Sequence, residues 1–213
     1  MKVVAVNGSP RKNWNTATLL EQALAGAASR GAATQFVHLY DLDYKGCRSC
    51  FACKRKGGKS FGRCAARDAL TPVLEEIGGA DALIVGSPIY FGETTGETRS
   101  FLERLLFPLP LYDKDFTGAP LREMRTAWIY TMNIPESMVK EMSLERVFRF
   151  NRLLMETFLG PCESLMCFDT LQFDDYSLYA AGKFDAAAKR KRREEVFPLD
   201  CRKAFELGAR LAT

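Results

Sequence analysis

At 213 residues the chain is long enough for one sizeable core, and nothing in its length demands a second domain. Hydrophobic residues make up 47% and charged residues 26%, which argues against a disordered chain, and no apolar run approaches the roughly 18 residues of a membrane-spanning helix. The net charge of +4, from 30 basic against 26 acidic residues, favours an anionic ligand but is too small to argue for nucleic acid.

Short apolar runs alternate with helical patterns from end to end, which predicts an α/β fold with a parallel sheet and residues 1–213 as a single domain. The first strand covers 2–6, where an unbroken Val-Val-Ala-Val reads as buried on both faces. No signal-peptide pattern precedes it, so the expectation is a cytoplasmic protein with neither membrane nor nucleic acid as partner. A helix follows over 16–29, with Leu19, Leu20, Ala23, Leu24 and Ala27 at helical spacing and Gly31 at its end. Further strands are predicted at 34–42, 81–90, 125–132 and 164–173, and helical patterns near 68–77, 97–107, 136–158 and 199–211. The longest irregular stretches are 47–67, 108–123 and 173–183, and loops of that length in a compact domain are usually functional or disordered. The basic run Lys189, Arg190, Lys191, Arg192, Arg193, followed by Glu194 and Glu195, reads as a solvated helix face.

Between the first strand and first helix stands Asn7-Gly8-Ser9-Pro10-Arg11, then Asn15-Thr16. A strand that feeds a helix through such a loop gathers hydroxyls, a guanidinium and backbone N–H groups around one helix N-terminus, which suits an anion. Ser9, Asn15, Thr16 and Thr18 offer hydrogen bonds and Arg11 a charge-assisted one. The plainer alternative is helix capping by Asn15 or Thr18, since Thr18 to Glu21 has capping-box spacing. The loop has neither the GxGxxG of dinucleotide sheets nor the GKS or GKT of nucleoside triphosphatases, so a ligand with one terminal phosphate is expected.

"NGSPRKNWNTATLL" followed by "GSPIYFGETTGETRSFLER" resembles the NADPH-dependent FMN reductase and iron-sulfur flavoprotein branch of the flavodoxin-like superfamily, over residues 1–106 and more loosely beyond. The resemblance implies a five-stranded parallel sheet of order 2-1-3-4-5 with helices on both faces. It also implies that the first loop holds the FMN phosphate through Ser9, Arg11, Asn15, Thr16 and Thr18. In such a sheet strands one and three bracket the switch point where ligands bind. The second loop, Pro88, Ile89, Tyr90, Phe91 and Gly92, would then run along the ribityl chain and ring; its Pro and Gly shape a turn, and its aromatics offer flat apolar contact. A third contact is expected from Thr131 and Asn133, where the family usually has smaller or glycine-rich residues. Family members commonly complete the site across subunits, so a homodimer or higher homo-oligomer is expected, with "PLPLYDKDFTGAP" as a candidate arm.

Cys47, Cys50 and Cys53 stand at CxxCxxC spacing, with Cys64 beyond. Thiolates so spaced can ligate a 4Fe–4S cluster, and the resembled iron-sulfur flavoproteins carry a compact motif here, although with a shorter final gap. A structural thiol loop over the flavin, a zinc site and a redox-active thiol pair are the alternatives. Cys162, Cys167 and Cys201 look scattered. His38, the single histidine, reads as a packed strand residue, and Asp174 with Asp175 as a solvated turn. No residue stands out as a catalytic acid or base, which suits cofactor chemistry. The leading function is therefore an FMN-dependent oxidoreductase taking hydride from NAD(P)H and passing electrons to a small acceptor such as a flavin or quinone. The alternative is an iron-sulfur electron-transfer protein between protein partners, and a weaker third reading is a module that binds another nucleotide.

Overall fold

The computed structural model describes residues 1–112 and 123–213. Along the chain it forms β1 (Lys2–Asn7), α1 (Asn15–Ala28), β2 (Ala33–His38), α2 (Thr71–Gly78), β3 (Ala82–Tyr90) and β4 (Glu93–Thr94). There follow α3 (Gly96–Leu106), β5 (Arg125–Thr131), α4 (Leu144–Phe158), β6 (Cys162–Cys167), α5 (Ala186–Glu195) and α6 (Phe197–Leu211). Five strands lie in the order β2-β1-β3-β5-β6, all parallel, with Val6 opposite both Val37 and Val85 and Ile129 opposite Leu165. This is the expected flavodoxin-like order, extended by the two-residue β4, which pairs antiparallel with the end of β3.

The unbroken apolar strands are explained by two cores. Val4, Val6, Leu83, Val85, Trp128 and Tyr130 face one side, where Ile77 of α2, Phe101 of α3 and Phe148 of α4 cover them. Val3, Ala5, Ala82, Ile84, Ala127 and Ile129 face the other, under Leu19, Leu20 and Ala23 of α1 and Ala204 and Leu207 of α6. Alternate side chains leave a strand on opposite faces, so a strand covered on both sides must be apolar at every position. Each large aliphatic side chain buried in this way stabilises the fold by about 1.5–3 kcal/mol.

Several boundaries differ from the sequence expectation. The strand expected over 34–42 stops at His38, because Leu39–Asp41 turns into a 3-10 helix. The strand expected over 164–173 is Cys162–Cys167: Asp169 adopts φ 51°, and the chain folds back so that the Asp169 and Thr170 N–H groups donate to Ile134 and Met132 carbonyls. The helix expected over 136–158 begins at Leu144, preceded by a separate 3-10 turn at Glu136–Met138. His38 packs as expected, its Nδ1 3.0 Å from Asn7 Nδ2. Asp175 accepts from the Ser177 N–H at 2.9 Å in an exposed turn. No helix among the described residues is long and apolar enough to cross a membrane. The proposed oligomer arm over 108–120 lies outside the described residues from 113 onward.

Candidate functional site

Three connections leave the carboxyl ends of neighbouring strands and meet at one edge of the sheet. The first, from β1 to α1, is bent by its own side chains: the Ser9 N–H donates to Asn7 Oδ1 at 3.0 Å and the Arg11 N–H to Ser9 Oγ at 3.1 Å. It is also pinned to its neighbours. The Gly8 N–H donates to the Gly86 carbonyl of β3 at 2.8 Å, and the Thr95 hydroxyl, at the N-cap of α3, donates to the Gly8 carbonyl at 2.7 Å.

This connection delivers α1 with an open N-terminus. Trp14, its N-cap, provides no capping side chain, and the first turn contains no acidic residue. The leading N–H groups of a helix have no intrahelical acceptor and carry partial positive charge, so an anion is stabilised there. Ser9, Asn15 and Thr16 border this end and are buried. Ser9 Oγ receives the Arg11 N–H while its own proton has no acceptor among the described residues. Thr16 Oγ1 lies 2.8 Å from Thr131 Oγ1, joining the helix to the end of β5. These are the groups expected around a phosphate, and their unused donors fit one.

Three of the expected ligands also make contacts within the protein. Thr18 Oγ1 donates back to the Trp14 carbonyl at 3.1 Å, within the helix's own first turn. Arg11 is exposed; it lies over the Trp14 ring at 4.6 Å and donates to the Gln172 carbonyl at 2.6 Å. Asn15 Nδ2 donates to the Leu171 carbonyl at 2.9 Å, and Arg193 Nη1 donates to Asn15 Oδ1 at 2.8 Å.

The second connection is a two-residue hairpin turn. Ile89 pairs with Thr94 and Tyr90 with Glu93, leaving Phe91 and Gly92 as the turn, both at positive φ (51° and 87°). That backbone matches the twist of a tight hairpin, and Gly92 adopts it without strain while Phe91 does not. Pro88 and Ile89 are half-buried, whereas Tyr90 and the fully exposed Phe91 stand at the rim. Tyr40 stands near them, its phenol pushed up chiefly by burial.

The third connection is braced from behind. Asn133 Nδ2 donates to Gln172 Oε1 at 2.9 Å, while the buried Lys189 donates to Asn133 Oδ1 and ion-pairs with Asp169, both at 2.5 Å. Lys189, Arg192 and Arg193 lie at i, i+3 and i+4 on α5, so one side of the basic run faces inward. This corrects the expectation of a solvated face, and in a run of five consecutive basic residues no spacing marks which side faces inward. The Leu171 and Gln172 contacts use main-chain carbonyls, which side-chain types do not announce.

The cysteines occupy a separate loop against α3. The Cys47 N–H donates to Glu103 at 3.0 Å, and Cys47 Sγ accepts from the Ser49 N–H at 3.4 Å. Cys50 is exposed, its thiol held below the usual range first by the Ala52 N–H; Cys53 is buried, and burial pushes its thiol up. Cys64 Sγ instead accepts from Arg104 Nε at 2.9 Å, and the same guanidinium grips Asp68 at 2.7 and 3.1 Å. Among the described residues no three His, Cys, Asp or Glu side chains converge as a metal-binding group. The hydrogen bond from Arg104 to Cys64 Sγ is compatible with a ligating thiolate, because cluster sulfurs commonly accept such bonds. A cavity of about 700 Å³ lies beside it, lined by Phe61, Cys64, Thr71, Arg104, Leu109 and Met124, away from the three connections.

Residues 1–131 match the family described as NADPH-dependent FMN reductase. Over 104 residues, 49% of the chain, identity is 38% to an iron-sulfur flavoprotein of Archaeoglobus fulgidus and 35% to one of Methanocaldococcus jannaschii, covering 48% and 51% of those proteins. The chain spans about half the length of the curated relatives it matches. Among solved structures, an NAD(P)H:quinone oxidoreductase from Methanothermobacter marburgensis superposes with a TM-score of 0.71 at 13% identity, covering 100% of this chain and 98% of that one. An FMN-dependent NADH-azoreductase from Bacillus anthracis, in complex with FMN, gives 0.66 at 12% identity, covering 100% and 99%. At these identities the likeness is one of fold.

Proposed function

The chain belongs to the NADPH-dependent FMN reductase family, and on that premise we propose that it acts as a single-domain, FMN-dependent oxidoreductase. It takes reducing equivalents from NAD(P)H and passes them to a small acceptor such as a flavin or a quinone. The observation that carries this reading is the open N-terminus of α1, ringed by buried polar groups with unused donors and set between the ends of β1, β3 and β5. When bound, FMN supplies the hydride and electron chemistry.

The protein's own contribution is to bind and orient. Ser9 donates its hydroxyl proton to the phosphate together with the first N–H groups of α1, and Thr16, fixed by Thr131, sets the depth of the site. Arg11, stacked on Trp14, adds charge at the solvent side. Thr18 holds the first helical turn, and Asn15 ties that turn to Leu171 and Arg193. Pro88, Ile89 and Gly92 present backbone to the ring, Tyr90 and Phe91 shield it from water, and Thr131 and Asn133 border its far edge. His38 is engaged with Asn7, and no proton transfer is required of it. We also propose a homo-oligomer, on the family resemblance. The test is a flavin-fluorescence titration of the apoprotein. Ser9→Ala should weaken FMN by roughly tenfold, the loss of one hydrogen bond to a charged group. Unchanged affinity would remove the phosphate from this loop.

The CxxCxxC spacing and the names of the curated relatives favour a second reading, an iron-sulfur electron-transfer protein. In that reading Cys47, Cys50, Cys53 and Cys64 would hold a 4Fe–4S cluster, which would supply one-electron transfer, and Arg104 would keep its hydrogen bond to the Cys64 sulfur.

A further inference from the structure

Three inward-facing cations of α5 differ in one respect. Lys189 is ion-paired with Asp169 at 2.5 Å and Arg192 with Asp200 at 2.5 Å. Arg193 has no carboxylate within ion-pair distance among the described residues, and Asp174 acts on it only from further away. Its contacts are neutral: Nη1 donates to Asn15 Oδ1 at 2.8 Å, and the guanidinium lies 3.8 Å from the centre of the Phe197 ring. It is half-buried, and burial pulls its pKa down.

Its neighbour is positive as well. Asn15 is the first residue of α1, whose N-terminus has neither a capping side chain nor an acid in its first turn. A guanidinium and a helix N-terminus side by side, partly withdrawn from water, repel one another unless an anion lies between them. Arg193 carries five N–H donors, and one accounts for the bond to Asn15. The Asn15 amide is already divided between a donor and an acceptor, Arg193 and the Leu171 carbonyl, so the orientation of both ends is fixed. Its amide therefore positions Arg193 as well as the helix.

We propose that Arg193 is the charged ligand of a phosphate monoester at the N-terminus of α1, and that Asn15 is its positioning residue. The inference deepens the FMN reading and rests on it. Arg193 lies in α5, beyond the residues 1–131 that match the family, so this contact would belong to the chain's own C-terminal part.

The test compares FMN with riboflavin, which lacks the phosphate, in fluorescence titrations of apoprotein carrying Arg193→Gln, with a melting curve of the apoprotein as the folding control. The proposal expects FMN affinity to fall roughly ten- to a hundredfold while riboflavin affinity holds, with Arg193→Lys between variant and wild type. If Arg193→Gln does not fold, Arg193→Ala reads the same quantity. Full retention of the preference for FMN would overturn the assignment and leave the phosphate loop standing. Equal weakening of both ligands would also overturn it, showing a structural role only. If the wild-type protein itself does not distinguish the two flavins, the phosphate-site reading fails and this inference with it.

Discussion

A β-carbon on Gly8 would fall 1.8 Å from Thr98 Oγ1 and 3.2 Å from the Gly86 carbonyl, so the first connection and α3 meet with no room for a side chain between them. Glycine is required here by close approach. Gly8→Ala must push α3 away from the loop, and an overpacked site of this kind costs about 1–3 kcal/mol. Urea unfolding should show that loss, accompanied by weaker FMN binding, because Gly8 is bonded to both Gly86 and Thr95. Adding Thr98→Ala removes the hydroxyl in the way and should return part of the stability. No recovery in the double variant would mean that the clash lies elsewhere.

Phe91 occupies a left-handed backbone position at φ 51° with its ring fully exposed, a conformation that costs an L-residue about 1–2 kcal/mol. Asparagine tolerates it better. Phe91→Asn should therefore raise the melting temperature by roughly 2–4 °C for each kcal/mol relieved. If the ring shields the flavin, NAD(P)H-driven turnover should fall at the same time. A variant unchanged in both measurements would leave the turn without strain and the ring without a role.

The two-sided burial of β1, β3 and β5 was legible because it writes itself as continuous apolar sequence, as in Val3 to Val6. The bent polar connection after β1 was legible because local hydrogen bonds such as that from the Ser9 N–H to Asn7 need particular side-chain types close in sequence. What was not legible depends on tertiary packing. Asp169 turns the chain after β6 to reach Met132 and Ile134, partners more than thirty residues away that give no local signal. Thr18 and Asn15 were identified as polar and well placed, but the direction each side chain takes is decided by Trp14, Leu171 and Arg193. The inward side of α5 was read as solvated because of its high charge, and its five consecutive basic residues hold no spacing that marks the side packed inward.

The buried Arg104, 2% exposed, joins α3 to the cysteine loop through Asp68, Cys64 and the Lys45 carbonyl. Its guanidinium holds the Asp68 carboxyl below the usual range. A carboxyl depressed by folding contributes stability above its unfolded pKa, near 3.9, and loses it as pH falls through the lower folded value. Asp68→Asn should cost about 3 kcal/mol near neutrality, since it leaves a buried cation without its counter-charge. It should also flatten the acid limb of the stability curve. An acid limb as steep as that of the wild-type protein would show that Asp68 does not carry this linkage.

The central claim is that this chain binds FMN at the edge formed by β1, β3 and β5 and that NAD(P)H reduces it there. Anaerobic purification followed by an absorption spectrum, with iron and sulfide determined on the same sample, tests this most directly. The account predicts stoichiometric FMN, either as isolated or after reconstitution, whose visible absorbance bleaches on addition of NADPH or NADH and returns with a quinone or free flavin. A protein that takes up no FMN, or whose bound FMN is not reduced by either nicotinamide, would contradict it.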